Sequence, residues 1–222
     1  RNQYGLIMKK LFLLICLFGA TVCVAEQQPD EADEIATPAN ILFDYPAVAE
    51  AGLVNLLVEI PAGTQQKWEA MKSGDGLKWD RKDGQLRVIK YLPYPGNYGM
   101  VPRTLLPREA GGDGDPLDVI MLGNSLPRAT VIAVKPIAVL RLLDDGEQDD
   151  KILAVPLEGP MSDVNSLAEL NQRYSGVTQI IELWFTRYKG PGRMESRGYA
   201  DSDAAWEMIN IASRAFEAKH SN

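Results

Sequence analysis

Thiols and imidazoles are nearly absent from this sequence: its 222 residues include two cysteines, Cys16 and Cys23, and one histidine, His220. Both cysteines fall inside the apolar run LFLLICLFGATVCVA, residues 11–25. The chain beyond that run has neither disulfides nor thiolate chemistry. His220 stands two residues before the last, where a frayed tail is expected. A Ser-His-Asp triad, a Cys-His pair and a histidine-ligated zinc are therefore excluded. Long apolar runs are also missing, since residues 11–25 fall short of a comfortable membrane span. Positive charge is scarce as well, with 23 Lys and Arg against 30 Asp and Glu.

The N-terminal sequence has a recognisable arrangement. Lys9 and Lys10 follow Met8, the apolar run comes next, and Ala25 precedes a polar acidic stretch. A basic n-region, an apolar h-region and a small residue at the junction form the layout of a secretory signal. Residues 1–25 are read as that signal, with residues 1–7 upstream of a start at Met8. Export to the periplasm is the expectation; a cytoplasmic chain whose N-terminal segment does not work as a signal is the alternative. A lipoprotein signal through Cys23 fits less well, because Ala20-Thr21-Val22 lacks the usual leucine and small residue. Without Arg1, Lys9 and Lys10, 20 basic residues face 30 acids, a formal charge of −10. So acidic a chain is a poor partner for nucleic acid but can attract divalent cations.

Residues 26–40, EQQPDEADEIATPAN, read as a flexible acidic lead-in. Residues 41–222 read as one domain. LVNLLVEIP (53–61) is strand-like and stopped by proline. LKWD (77–80) and QLRVIKYL (85–92) flank an Asp83-Gly84 hairpin turn. PLDVIMLG, TVIAVKPIAVLRLLD and KILAVPLE add short strands separated by Pro, Gly and acidic turns. Such spacing predicts an antiparallel barrel rather than a doubly wound sheet. Two helices follow. The first has Ile180, Trp184 and Tyr188 in register with Ile181 and Phe185 beside them. The second has Ala205, Ile209, Ala212 and Phe216, with an N-cap at Asp201 or Ser202.

The chemistry concentrates in DGDPLDV (113–119), where Asp113, Asp115 and Asp118 crowd a turn before a strand. Crowded carboxylates repel one another unless a cation sits among them, and their oxygens suit hard ions such as Mg²⁺ or Mn²⁺. An EF-hand fits poorly, with Pro116 inside the loop and Asn124 at its twelfth position. Taken alone, the cluster reads equally as an acidic turn facing water. A second acidic run, Asp144-Asp145-Gly146-Glu147-Gln148-Asp149-Asp150, ends at Lys151, and two such tips can face each other across bound cations. Glu59 and Glu69 are further acids; Lys67, Arg87, Lys151 and Lys189 lie in or beside apolar segments; Tyr94, Tyr98 and Tyr188 offer hydroxyls. Each has a plain alternative as a surface lysine or core aromatic. Together, acids for metals and Lys, Arg and Tyr donors describe a site for a small phosphate-rich anion.

DGDPLDV resembles the signature of the family I soluble inorganic pyrophosphatases. VEIP, the KWE element, LRVIKYLPYPGNYG, LLDDGEQDDKILAVP and WFTRYKGP follow in that family's order, over about residues 53–192. The spacing is closer to the longer, eukaryotic-type branch. The resemblance implies an α+β, mainly β fold: an OB-like antiparallel five-stranded β-barrel with flanking C-terminal helices. It implies hydrolysis of pyrophosphate to two phosphates by a metal-bridged hydroxide, with three or four Mg²⁺ and Mn²⁺ as an alternative. Asp113, Asp118 and Asp149 would hold the two metals that share the water, and Asp115 would take its proton. Glu59, Asp144 and Asp149 would serve the metals that arrive with substrate. Lys67, Arg87, Tyr98, Lys151, Tyr188 and Lys189 would bind phosphoryl oxygens, with Glu69 and Tyr94 in support.

Arg81, in WDR, competes with Arg87 for one role; Arg87 is preferred because the motif continues unbroken from it. Met100 stands where the family often has an aromatic residue, and Asp145 where glutamate is common. Relatives assemble as dimers or hexamers, so a homo-oligomer is implied. Two rival readings remain: a silent module on the same fold that only binds metal or phosphate, and a metal-dependent monoesterase.

Overall fold

The computed structural model describes residues 32–112 and 114–221. Residues 1–31, Asp113 and Asn222 lie outside the described residues. With them go the expected signal, both cysteines, part of the lead-in and one expected metal ligand. Twelve described strands come first: β1 (Glu34–Ala36), β2 (Val48–Glu50), β3 (Leu53–Ile60), β4 (Trp68–Ala70), β5 (Gly76–Trp79), β6 (Arg81–Lys82), β7 (Gln85–Leu86), β8 (Asn97–Met100), β9 (Asp118–Met121), β10 (Val131–Asp144), β11 (Glu147–Gln148) and β12 (Lys151–Val155). Helices α1 (Leu167–Arg173) and α2 (Val177–Arg187), strand β13 (Met194–Asp201) and helix α3 (Ser202–His220) follow.

Five strands close a ring in the order β3-β8-β9-β12-β10, with β10 pairing back onto β3. This is the expected OB-like architecture with one difference. β9 and β12 are parallel, while the other four pairs are antiparallel. The reason is parity: a closed ring with an odd number of strands cannot alternate direction at every step. β10 makes closure possible by its 14-residue length, on the order of 45 Å. Val131–Val134 pairs with β3, Lys135–Leu140 with β12, and Ala138–Asp144 with β13. Its register slips between Pro136 and Ala138, a bulge that suits a residue without an N–H and bends the strand around the ring.

Side chains alternate across the ring and feed two cores. Ile120, Leu122, Leu140, Leu142, Leu153 and Val155 join one cluster with Trp184 and Phe185 of α2. Val119, Met121, Val139, Ile152 and Ala154 join the other with Ile209 and Ala212 of α3. Strands apolar on both faces read as near-continuous runs such as KILAV, all five residues buried.

On α3 the expected face is the buried one, Ala205, Ile209, Ala212 and Phe216. Asp201 is its N-cap and accepts from Ala204 N–H at 3.2 Å. On α2, Thr178, Ile181, Trp184 and Phe185 are buried, whereas Ile180, expected beside Trp184, is 60% exposed. The residue at i−3, Ile181, takes that place under the aromatic pair. His220 is not in a frayed tail: it lies in the last turn of α3, with its ring 4.2 Å from Phe216 and 5.2 Å from Phe43. The sequence reading has no place for α1 or β13. The signal for α1 was present as the S-x-x-E spacing of a capping box: Ser166 Oγ accepts from Glu169 N–H, while the Glu169 carboxylate reaches one residue past the cap to Asn165 N–H. Strand β13, MESRGYAD, carries no alternation and owes its form to pairing with the far half of β10.

A second sheet has the order β1-β5-β4. Its edge strand β1 comes from the stretch read as a flexible lead-in. Trp79 N–H donates to Asp33 C=O, Thr37 N–H to Asp75 C=O, and Ile41 N–H to Gly74 C=O. A Cβ on Gly76 would stand 2.1 Å from the Ile35 carbonyl, so glycine is what lets β1 lie against β5. The Asp83-Gly84 turn forms with both φ angles positive, but its hairpin is short and ends at Leu86. Beyond it, Val88 makes an isolated bridge to Gln66 rather than continuing a strand to Leu92.

Candidate active site

The parallel pairing of β9 with β12 aligns the starts of the two strands, and their first residues are Asp118 and Lys151. Lys151 Nζ donates to Asp118 Oδ2 at 2.5 Å and to Asp149 Oδ1 at 2.6 Å. The two acidic runs of the sequence thus meet on one ammonium. Burial opposes charge on Lys151, yet attraction from Asp118 and Asp149 outweighs it and holds the group above the usual lysine range. Burial also raises the Asp149 carboxyl, against the pull of Lys151 and with the push of Asp118. Beside them, Asp144 ends β10 and accepts from Lys189 Nζ, just after α2.

Glu59, the penultimate residue of β3, is 6% exposed and accepts from Ala70 N–H at 2.7 Å. Burial pushes its carboxyl up to about 7, moderated by the charge of Lys67. Lys67 Nζ lies 3.5 Å from Glu69 and 5.2 Å from the centroid of the Tyr98 ring. The backbone holds this corner: Lys67 N–H donates to Arg87 C=O, and Asp80 N–H to Lys67 C=O. Arg87 Nη1 pairs with Asp80 at 2.9 Å, and its charge reaches Tyr94 and Tyr188. Arg81 instead stands on the exposed hairpin, 2.7 Å from Asp33. Of the two rivals, Arg87 is the one beside the other residues of the cluster.

The tyrosines line the same space. Burial raises Tyr94, Tyr98 and Tyr188, with Asp118 adding to the first two and Tyr94 to the third. All three keep their protons at neutral pH and can donate to an anion. Asn97 anchors the strand behind Tyr98: its Oδ1 accepts from Ala62 and Leu126 N–H, and its Nδ2 donates to Asn124 C=O.

Asp115 sits exposed on the turn before β9, its backbone carbonyl accepting from Leu106 N–H at 3.1 Å. Asp113 lies outside the described residues. Asp145 occupies the β10–β11 turn at φ +48° and pairs with exposed Arg193, so turn geometry accounts for an Asp there. Met100 is buried against Leu57, Trp68 and Leu77. Sequence reasoning missed Asp80, the partner of Arg87, and Asn97. An acid closing LKWD two strands from an arginine gives no sequence signal, and Asn97 was hidden inside a motif quoted for its tyrosines.

The donor set suits a hard divalent cation. Glu59, Asp118, Asp144 and Asp149 supply carboxylate oxygens, and Asp144 Oδ1 is buried without a hydrogen-bond partner. Among the described residues no three such side chains are grouped to hold an ion; the ammonium groups of Lys151 and Lys189 lie among the carboxylates. Among the described residues, too, no helix is long and apolar enough to cross a membrane.

Comparison with known proteins gives one answer. A chloroplastic soluble inorganic pyrophosphatase of Arabidopsis thaliana is 31% identical over 92% of this chain and 75% of its own length. An inorganic pyrophosphatase of Synechocystis is 35% identical over 76% of this chain and 94% of its own. Among solved structures, a type I inorganic pyrophosphatase from Toxoplasma gondii superposes with a TM-score of 0.74 at 28% identity, covering 83% of this chain and 98% of that one. The enzyme from Schistosoma japonicum gives 0.78 at 26% identity, covering 83% and 75%. The family model for inorganic pyrophosphatase matches residues 56–217, a span that holds every residue of the cluster, and the chain belongs to the inorganic pyrophosphatase family.

Proposed function

We propose that this chain hydrolyses inorganic pyrophosphate to two orthophosphates. The observation that carries the reading is the meeting of Asp118 and Asp149 on Lys151, beside the Asp144–Lys189 pair and three protonated tyrosines. A polyanion needs that density of donors, and a divalent cation needs that density of carboxylates. Lys67, Arg87, Tyr98, Lys151, Tyr188 and Lys189 bind the phosphoryl oxygens and offset charge as the bridging P–O bond breaks. Glu69 and Tyr94 support Lys67 and the tyrosine pair. A water oxygen attacks one phosphorus, Asp115 accepts the proton it loses, and the departing phosphate leaves with the electron pair of the broken bond.

Asp113, Asp118 and Asp149, with Glu59 and Asp144, are the residues that would hold divalent metal, Mg²⁺ or Mn²⁺. When bound, such ions supply positive charge and lower the pKa of water toward neutrality. Histidine has no part in this scheme. Phosphate release from pyrophosphate by residues 26–222, with Mg²⁺ and with EDTA, tests the reading beside Asp115→Asn. Mg²⁺-dependent release that collapses in the variant is expected. Folded protein that binds pyrophosphate without releasing phosphate would instead make the chain a binding module. Faster release from an aryl phosphate than from pyrophosphate would make it a monoesterase.

Export belongs to the same proposal and is supported by the order Lys9-Lys10, apolar run, Ala25. An exported enzyme would release phosphate outside the cytoplasm. Fractionation tests it: a cytosolic protein with residues 8–25 intact would overturn it. A homo-oligomer is proposed on family grounds, and light scattering measures it.

A further inference from the structure

Trp184 is 3% exposed in α2, belongs to none of the groups assigned above, and touches two of them. Its ring centroid lies 4.7 Å from that of Tyr188, stacked at 10°, and 4.5 Å from that of Tyr94, tilted at 45°. Its indole Nε1–H donates to the Leu92 carbonyl at 2.9 Å, across 92 residues of sequence. Leu92 is 66% exposed and lies two residues before Tyr94. One side chain thus fixes the loop that carries Tyr94 and the ring of Tyr188. Tyr94 is 5.2 Å from Tyr98, and the face of Tyr188 lies 5.6 Å from Lys189 Nζ. Those contacts extend the setting to Tyr98 and Lys189.

We infer that Trp184 is a positioning residue for pyrophosphate: it holds the Tyr188 ring and the loop of Tyr94 so that the Tyr188 hydroxyl can meet a phosphoryl oxygen. The inference rests on the function proposed above. Phosphoryl transfer depends on placement within a fraction of an ångström, so a support that does not touch substrate still sets binding and rate. The stack and the indole hydrogen bond are separable. Phenylalanine keeps a ring but loses the N–H; leucine loses both.

The test is a double-mutant cycle. Kinetics on pyrophosphate are measured for the wild type, Trp184→Phe, Trp184→Leu, Tyr188→Phe and the double variant Trp184→Leu/Tyr188→Phe. Phe216→Leu, a buried aromatic of α3 outside the site, controls for general loss of stability. Trp184→Phe is expected to lower kcat/KM about two- to tenfold, the size of one hydrogen bond, mostly through KM. Trp184→Leu should do more. In the Tyr188→Phe background the Trp184→Leu effect should shrink to about that of Trp184→Phe, because the hydroxyl that the stack places is gone. Effects that multiply in the double variant would overturn the inference. So would a KM rise in Phe216→Leu matching that of Trp184→Phe. If wild type binds pyrophosphate without turnover, calorimetric affinities replace the rates in the same cycle and decide the inference while the enzymatic reading falls. Folded wild type that neither binds nor hydrolyses pyrophosphate overturns both.

Discussion

Lys151 is the residue on which charge balance turns. It is 2% exposed and bonded to two carboxylates that are 28% and 26% exposed. Removing one member of a buried ion pair leaves the other uncompensated. Lys151→Met should lose about 3 kcal/mol, the low end of the range for such breaks, because the carboxylates keep some water. Urea unfolding in EDTA measures it. Mg²⁺ should recover part of the loss by resupplying positive charge, and an unchanged midpoint would show that the pair adds nothing to stability. Glu59 makes a pH prediction. Its folded pKa of about 7 is above the ordinary 4.5, so the group's contribution is complete below about pH 4.5 and fades as pH rises through 7. Metal-free protein should therefore lose stability across that window, and Glu59→Gln should flatten the slope. A profile identical in the two proteins would assign the slope elsewhere.

Among the elements, α3 and β1 show how local signals and long-range pairing divide the work. α3 starts at a side-chain cap, Asp201 to Ala204 N–H. Asp201→Ala should cost about 1 kcal/mol, read from the thermal midpoint, with pyrophosphate kinetics unchanged. β1 has no such signal, since EIA in an acidic stretch buries only part of one residue, Ile35. It is ordered by its pairing with β5, whose other neighbour β4 carries Trp68 and Glu69 beside Lys67. A chain beginning at Ile41 should fold with a lower midpoint than one beginning at Ala32 and a higher KM for pyrophosphate. Equal values would make β1 dispensable. The short hairpin β6–β7 belongs here too: the Asp83-Gly84 turn was legible because two positive φ angles demand such residues. The continuation to Leu92 was not, because past Arg87 the chain leaves its hairpin partner for residues 65–67: Lys67 N–H donates to Arg87 C=O and Ile89 N–H to Gln65 C=O.

The chain is acidic, with 30 Asp and Glu against 23 Lys and Arg, and it carries Glu59, Asp118, Asp144 and Asp149 at the candidate site, which sets its expected response to metal. An ion that binds only the folded chain stabilises it by RT ln(1 + [L]/Kd), about 2.7 kcal/mol at a free concentration one hundred times Kd. Mg²⁺ should raise the thermal midpoint and EDTA should lower it. Asp144→Asn should weaken the effect, since Asp144 Oδ1 is a buried acceptor with no protein partner. A midpoint indifferent to Mg²⁺ would count against a metal site. At this scale the ring is also what makes a site at all. Asp118 and Lys151 are 33 residues apart, and parallel pairing of β9 with β12 is what sets their side chains together.

Residue chemistry was legible in the chain by itself. The scarcity of histidine and cysteine excluded whole reaction classes, the order of DGDPLDV, LRVIKYLPYPGNYG and WFTRYKGP marked the family, and 3.6-residue periodicity found the buried face of α3. These are local or compositional properties that survive without a fold. Tertiary structure decided which charges meet. It placed Arg87 rather than Arg81 beside the tyrosines, gave Lys151 two carboxylates, drew β1 out of the lead-in, and set Trp184 against Tyr94 and Tyr188. Each of those contacts joins residues distant in the chain or depends on which way a strand runs. A five-stranded ring must contain a parallel pair somewhere, but only the folded pairing decides that it falls between β9 and β12, where the first residues of two strands become the centre of the site.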